Sequence, residues 1–299
     1  MPPPLPLDPH SIARLEGLEL RARTIAGGLF AGRHRSHHRG QSVEFAEHRQ
    51  YVTGDDLRYV DWKAFGKSDR LYLKQFEAES NLYCYLAVDA SESMAYRSAG
   101  AAMSKLQYAA CLAATLAHLA IGQGDSAGLA LMATSVRQFV ASSNNPAQLD
   151  NLVHVLELAE PHGKSDLAAS VAELVQRLPR RSIVVLISDL LNAGNGLAGS
   201  LRRLRHARHE AIVLHVLDPA EIEFPFDRTT LFRGLESMPD ILAEPHGVRA
   251  AYLAACDRFL EQAEADCRTC QADYQLARTD DSLDAPLRHL LTSRLRRWR

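Results

Sequence analysis

Cysteine is scarce in this chain and scattered, five in 299 residues. An odd, dispersed set does not make a disulfide framework, so a reduced environment is expected. Aromatic residues reach only 7%, and neither sign of charge dominates: 34 Lys and Arg stand against 36 Asp and Glu, a formal net charge of −2. That balance gives no reason to expect nucleic acid as the main partner. No apolar run approaches the roughly 18–20 residues of a membrane span; the longest, near Ile183–Ile187, is strand-sized. The opening MPPPLPLDPH has neither a basic n-region nor an apolar h-region, so no secretory signal is expected and the cytoplasm is the expected compartment. Phosphate loops of the G-x-x-x-x-G-K-[ST] and G-x-G-x-x-G types are missing, as is the G-x-S-x-G elbow of serine hydrolases. What is there, 46% hydrophobic and 23% charged residues, is the composition of a globular protein with a sizeable core.

Asp8-Pro9 forms a helix start, and Ile12, Leu15, Leu18 and Ile25 continue at helical spacing, predicting one helix over 9–26 that Gly27-Gly28 ends. A basic, histidine-rich stretch follows, from Arg33 to Gly40, and residues 41–80 are the least regular part, with one weak strand signal at Leu71–Phe76. From residue 82 the pattern is regular. Leu82–Val88 is a continuous apolar run ending at Asp89, as a strand buried on both faces requires. Helix signals at 105–122, 147–160, 165–178, 197–208, 248–270 and 283–296 alternate with strand signals at 126–132, 182–187, 211–216 and 274–277, and 137–140 fits an edge hairpin. This alternation predicts an α/β fold with a doubly wound, mostly parallel sheet over 82–299, and residues 1–81 as an N-terminal helix and extension packing on it.

In such sheets ligands bind beyond the carboxyl ends of the strands. Two strands here finish at an aspartate, Asp89 and Asp189, which places both carboxylates at one edge. Asp89-Ala90-Ser91-Glu92-Ser93 follows the first; as a bare D-x-S-x-S string it arises by chance in roughly one chain in fifteen of this length, so its position matters more than its letters. Gly163-Lys164-Ser165-Asp166-Leu167 opens a helix, where Ser165 or Asp166 could serve as the cap. Ser188-Asp189-Leu190 follows the apolar run SIVVLI. Two carboxylates and three hydroxyls from three loops are hard oxygen donors, suited to Mg²⁺, Mn²⁺ or Ca²⁺.

These motifs resemble the metal-ion-dependent adhesion site of von Willebrand factor A domains. Upstream, G-Q-S-V-E-F, R-Q-Y-V-T-G-D-D-L-R-Y-V-D-W and L-K-Q-F-E-A-E are similar to the domain-of-unknown-function 58 family, von Willebrand A-like proteins encoded beside MoxR-type AAA+ ATPases; the resemblance covers roughly residues 27 to 295. It implies that Ser91 and Ser93 ligate a metal directly, that Asp89 and Asp189 act directly or through water, and that Ser165 stands where the pattern has threonine. It further implies a non-enzymatic adaptor that docks an acidic partner side chain on a divalent cation, Mg²⁺ first, and serves a MoxR-type ATPase acting on a client protein. A metal-dependent hydrolase using Asp89 and Asp189, with Glu92 as base, is the alternative, and a domain binding through its surface alone is a third. A phosphatase of the haloacid-dehalogenase kind would need a second aspartate where Ser91 stands.

Other clusters read more plainly. Arg49, Asp55, Asp56, Arg58, Asp61 and Trp62 fit a structural arginine–carboxylate network around a tryptophan, because no nucleophile or phosphate loop accompanies them. His34, His37 and His38 among arginines fit a solvated basic loop. Cys267-x-x-Cys270 falls late in a helix, which disfavours a redox or zinc role.

Overall fold

The computed structural model describes residues 9–31, 45–50, 72–76, 82–191 and 196–297. The chain divides into two compact units, residues 1–35 with 82–299, and residues 36–81. In the smaller unit, β1 (Phe45–Gln50) pairs antiparallel with β2 (Tyr72–Phe76), Arg49 lying opposite Leu73. The rest of the Arg49–Trp62 cluster and the His34–His38 loop lie outside the described residues.

The larger unit begins with α1 (Pro9–Ala13) and α2 (Leu18–Ala31), not with the single helix expected over 9–26. The break falls at Gly17, whose φ of +80° lies in the left-handed region open to glycine. Arg21 satisfies the freed carbonyls, donating from Nε to Leu15 O (2.9 Å) and from a terminal nitrogen to Ala13 O (3.1 Å), while Leu18 N donates to Glu157 (2.8 Å). Gly27-Gly28 does not end α2, because burial of Ala22, Ile25 and Leu29 outweighs a glycine penalty of about 1 kcal/mol.

Thereafter come β3 (Tyr83–Asp89), α3 (Lys105–Gly122), β4 (Ser126–Met132), β5 (Val136–Ser143), α4 (Gln148–Glu157), α5 (Leu167–Arg177), β6 (Ile183–Ser188), α6 (Gly196–His206) and β7 (Glu210–Leu217). A short α7 (Pro219–Glu223), the strands β8 (Thr230–Phe232) and β9 (Ile241–Ala243), α8 (Pro245–Thr269), β10 (Asp273–Arg278) and α9 (Asp284–Arg297) complete the chain. The sheet order is β10-β7-β6-β3-β4-β5, parallel except for β5, which is antiparallel to β4 as the expected edge hairpin. The doubly wound α/β fold read from the sequence is therefore the fold of this unit.

Alternation along the strands explains the two layers. Leu86 and Val88, Val185 and Ile187, and Ile212 and Leu214 enter one core, with Leu112 of α3 and Leu152 of α4; Ala87, Val184, Leu186 and Val213 enter the other, with Leu174 of α5 and Leu201 of α6. Each fully buried Leu, Ile or Val contributes about 1.5–3 kcal/mol. The chain leaves β3 for β4 on one side and returns to β6 on the other, so strand order reverses at β3/β6. A crevice at that point is where such folds bind ligands.

Candidate functional site

Asp89 ends β3 and is 2% exposed. Its Oδ1 accepts from Ser91 N (2.9 Å), which bends the chain sharply off the strand; its Oδ2 accepts from Ser188 Oγ (2.7 Å) and Ser165 Oγ (3.0 Å). Ser91 Oγ lies 3.1 Å from Ser93 Oγ, and both serines are buried. Three loops thus converge, and the backbone stitches them together. Ala90 N donates to Met132 O (2.7 Å), His162 N to Ala90 O (2.9 Å) and Glu92 N to Gly163 O (2.9 Å). Gly163 makes its turn at φ +77°, and of the two candidate caps it is Asp166 that closes α5, accepting from Ala169 N (2.9 Å). Ser165 is left to face Asp89.

Asp189 follows β6 and is engaged differently. Its Oδ2 accepts from Lys105 Nζ (2.8 Å) and its Oδ1 from Leu191 N (3.2 Å). Lys105 is 0% exposed and donates also to Glu221 (2.7 Å). The lysine occupies the first position of α3, fixed there by a reciprocal capping box between Ser104 and Gln107. Burial pulls the Lys105 ammonium down, but Asp189 and Glu221 outweigh it and hold its pKa above the ordinary value. Glu221 lies above the usual carboxylate range, because burial exceeds the opposing pull of Lys105. Behind Asp189, its carbonyl meets His215 Nε2 (2.8 Å), whose Nδ1 meets Tyr274 OH (2.8 Å).

The site residues named from the sequence are therefore brought to one edge, in two groups. Asp89, Ser91, Ser93 and Ser165, with Ser188, form a hydroxyl-lined cluster around one carboxylate. Asp189 belongs to an adjoining ion-pair network, and its oxygens are already committed. The Asp89 carboxyl is raised by burial first and by the nearby Asp189 charge second, the bonds from Ser188 and Ser91 opposing both. No Lys or Arg among the described residues forms an ion pair with Asp89. A buried carboxylate without a counter-charge is costly unless a cation or a proton supplies one. The donors fit a hard divalent cation, although no three His, Cys, Asp or Glu among the described residues form a metal cage, so a cation here depends on serine hydroxyls.

Sequence reasoning missed Lys105, Glu221 and Glu236. The one available signal for Lys105 was a lone basic residue opening an otherwise apolar helix. Cys267 and Cys270 are buried free thiols, and burial pushes Cys267 up to about 12.

A six-stranded, mostly parallel sheet with a serine–aspartate cluster at its switch point defines a doubly wound α/β domain. The model of the family described as protein of unknown function DUF58 matches residues 47–258, and the chain belongs to that family. Uncharacterized protein Rv1480 of Mycobacterium tuberculosis and uncharacterized protein Mb1516 of Mycobacterium bovis are each 29% identical over 295 residues, 97% of this chain and 91% of theirs. Solved structures similar to it include conserved hypothetical protein BatB from Bacteroides thetaiotaomicron, at 15% identity and a TM-score of 0.49, covering 72% of this chain and 99% of that one. The SpRpn10 VWA domain is similar at 8% identity and a TM-score of 0.40, covering 69% and 93%. No helix among the described residues is long and apolar enough to cross a membrane.

Proposed function

We propose that this chain is a non-enzymatic interaction module that docks a partner's acidic side chain through a divalent cation, Mg²⁺ in the first instance, held by Asp89, Ser91, Ser93 and Ser165. Asp189 acts from behind this set, orienting Lys105 and adding negative potential. The observation that carries the reading is the buried Asp89 carboxylate, which accepts from two serine hydroxyls and a backbone N–H yet has no cationic side chain paired to it among the described residues. Glu92, the base a hydrolase would need, instead accepts from Glu236 N (2.9 Å), which favours binding over catalysis. By resemblance to its family, the module serves a MoxR-type AAA+ ATPase acting on a client complex.

Titration calorimetry with Mg²⁺, Mn²⁺ and Ca²⁺ tests the metal step: wild type binds, Asp89→Ala does not, and binding that survives Asp89→Ala defeats the assignment. Co-precipitation of the MoxR-type ATPase with and without chelator tests the partner.

A further inference from the structure

Between α7 and α8 the chain forms an arm that the sequence showed only as a loop rich in proline and phenylalanine. Its root is aromatic: the Phe224 ring lies 4.5 Å from Tyr252, 5.1 Å from Phe226 and 5.6 Å from Phe232, centroid to centroid. Its shaft is the β8–β9 hairpin, three pairs long. Its tip is wound tightly. Gly234 N donates to Asp240 (2.8 Å) and Met238 N to Leu235 O (3.0 Å), and a Cβ on Gly234 would lie 1.9 Å from the Met238 carbonyl oxygen.

The polarity of this tip is inverted. Met238 is 67% exposed and Leu242 70%, while Glu236, two residues before Met238, is 4% exposed. Burying a carboxylate and exposing methionine opposes the usual partition of side chains. The backbone adds to the cost, because Glu236 (φ 55°) and Ser237 (φ 67°) are consecutive non-glycine residues in the left-handed region, of order 1 kcal/mol each. What the tip gains is contact with two of the three metal-site loops. Glu236 Oε2 accepts from Ser165 N (3.0 Å), and Glu236 N donates to Glu92 Oε2 (2.9 Å) within the Asp89–Ser93 turn. The carboxylate therefore hangs on the backbone of a residue whose hydroxyl already bonds Asp89.

We propose that Glu236 is the resident acidic ligand of the cation site. In the partner-free protein its carboxylate holds the place a partner's carboxylate needs, and docking displaces the tip while the aromatic root stays anchored. This rests on the cation reading of Asp89 and its serines, and it adds a regulatory consequence: the free module is self-occupied, and partners compete with Glu236.

Mn²⁺ is the probe, with the full-length chain. Calorimetry gives affinity, and water-proton relaxation reports how many exchangeable waters reach the bound ion. Glu236→Gln is expected to weaken Mn²⁺ binding about tenfold and to raise relaxation per bound ion, as water takes the vacated place. Glu236→Asn, a side chain tolerant of left-handed backbone, carries the measurement if Glu236→Gln does not fold. In wild type, hydrogen exchange over 233–240 slows when Mn²⁺ is added. Mn²⁺ binding that requires Asp89 but is unchanged in affinity and relaxation by either Glu236 variant overturns the resident-ligand proposal and leaves the cation site standing. Absence of Mn²⁺ binding in wild type overturns both.

Discussion

Two buried side chains set the energetics of the site residue by residue. Lys105 carries the sole ammonium between Asp189 and Glu221, and all three are largely removed from water. Such a pair adds little relative to an apolar replacement of the whole group, but removing one member strands the others. Lys105→Met is therefore expected to destabilise the fold by about 3–5 kcal/mol in urea denaturation, and a loss under 1 kcal/mol would show that the two carboxylates are neutralised some other way. His215 sits 0% exposed between Asp189 O and Tyr274 OH, and burial lowers its pKa to about 4. In the unfolded chain it titrates near 6.5, so between those values the unfolded state binds more protons. Its contribution is present above pH 6.5 and is lost as pH falls toward 4, by about 3 kcal/mol in all. His215→Gln keeps a polar side chain but not the titration. Its stability should depend less steeply on pH across that window, and an unchanged slope would assign the acid sensitivity elsewhere.

At the scale of elements, β4 is the strand whose sequence is most constrained, because it admits Gly128 where the neighbouring strand places Tyr85. A Cβ on Gly128 would lie 2.5 Å from Tyr85 Cε1 and 2.8 Å from Cδ1. The ring cannot easily retreat: it is 2% exposed, stacks on Phe139 at 5.6 Å, and its hydroxyl accepts from Ser142 N (3.1 Å). Gly128→Ala is expected to cost about 1–3 kcal/mol by overpacking, read as a lower denaturation midpoint with an unchanged slope; a neutral result would mean that β5 shifts to accommodate it. The same elements show what a sequence can carry. The strands at 83–89, 126–132 and 183–188 were legible because parallel strands buried on both faces are uninterrupted apolar runs, and α3 because its alanines and leucines continue for five turns. The β8–β9 hairpin was not legible, since three-residue strands with exposed Leu231, Ile241 and Leu242 have no buried face to impose a period. The break at Gly17 depends on a side chain six residues from the carbonyl it caps, and helical spacing alone does not register that. The site divides the same way. Asp89, Ser91, Ser93 and Ser165 are found by motif, whereas Lys105 and Glu236 reach it only through the three-dimensional path of α3 and the hairpin.

Over the whole molecule, a net charge of −2 conceals a polarity along the strands. At the amino ends of β6 and β7, Arg180, Arg181, His206 and Arg208 line a cavity of about 540 Å³. At the carboxyl ends, Asp189 and Glu221 share the buried Lys105, and Asp89 beside them has no ion-pair partner among the described residues, so acidic groups outnumber basic ones there. Burial and the Asp189 charge hold the Asp89 carboxyl above its ordinary range. Without a cation, the folded state retains a proton there that the unfolded chain has released, so this group's contribution to stability is full below the unfolded pKa and is lost as pH rises through the folded one. A cation reverses the dependence, because it binds the carboxylate and competes with the proton. The reading of a cation-filled site thus makes a claim about the entire fold: Mg²⁺ at about a hundred times its dissociation constant should stabilise the protein by about 2.7 kcal/mol, a rise of roughly 5–10 °C in melting temperature for a domain of this size. The rise should be larger at pH 8 than at pH 5 and absent in Asp89→Ala. Thermal unfolding in EDTA and in Mg²⁺ across that range measures it. A melting temperature indifferent to Mg²⁺ at both pH values would defeat the cation reading and leave Asp89 a hydrogen-bonded structural group rather than a docking site.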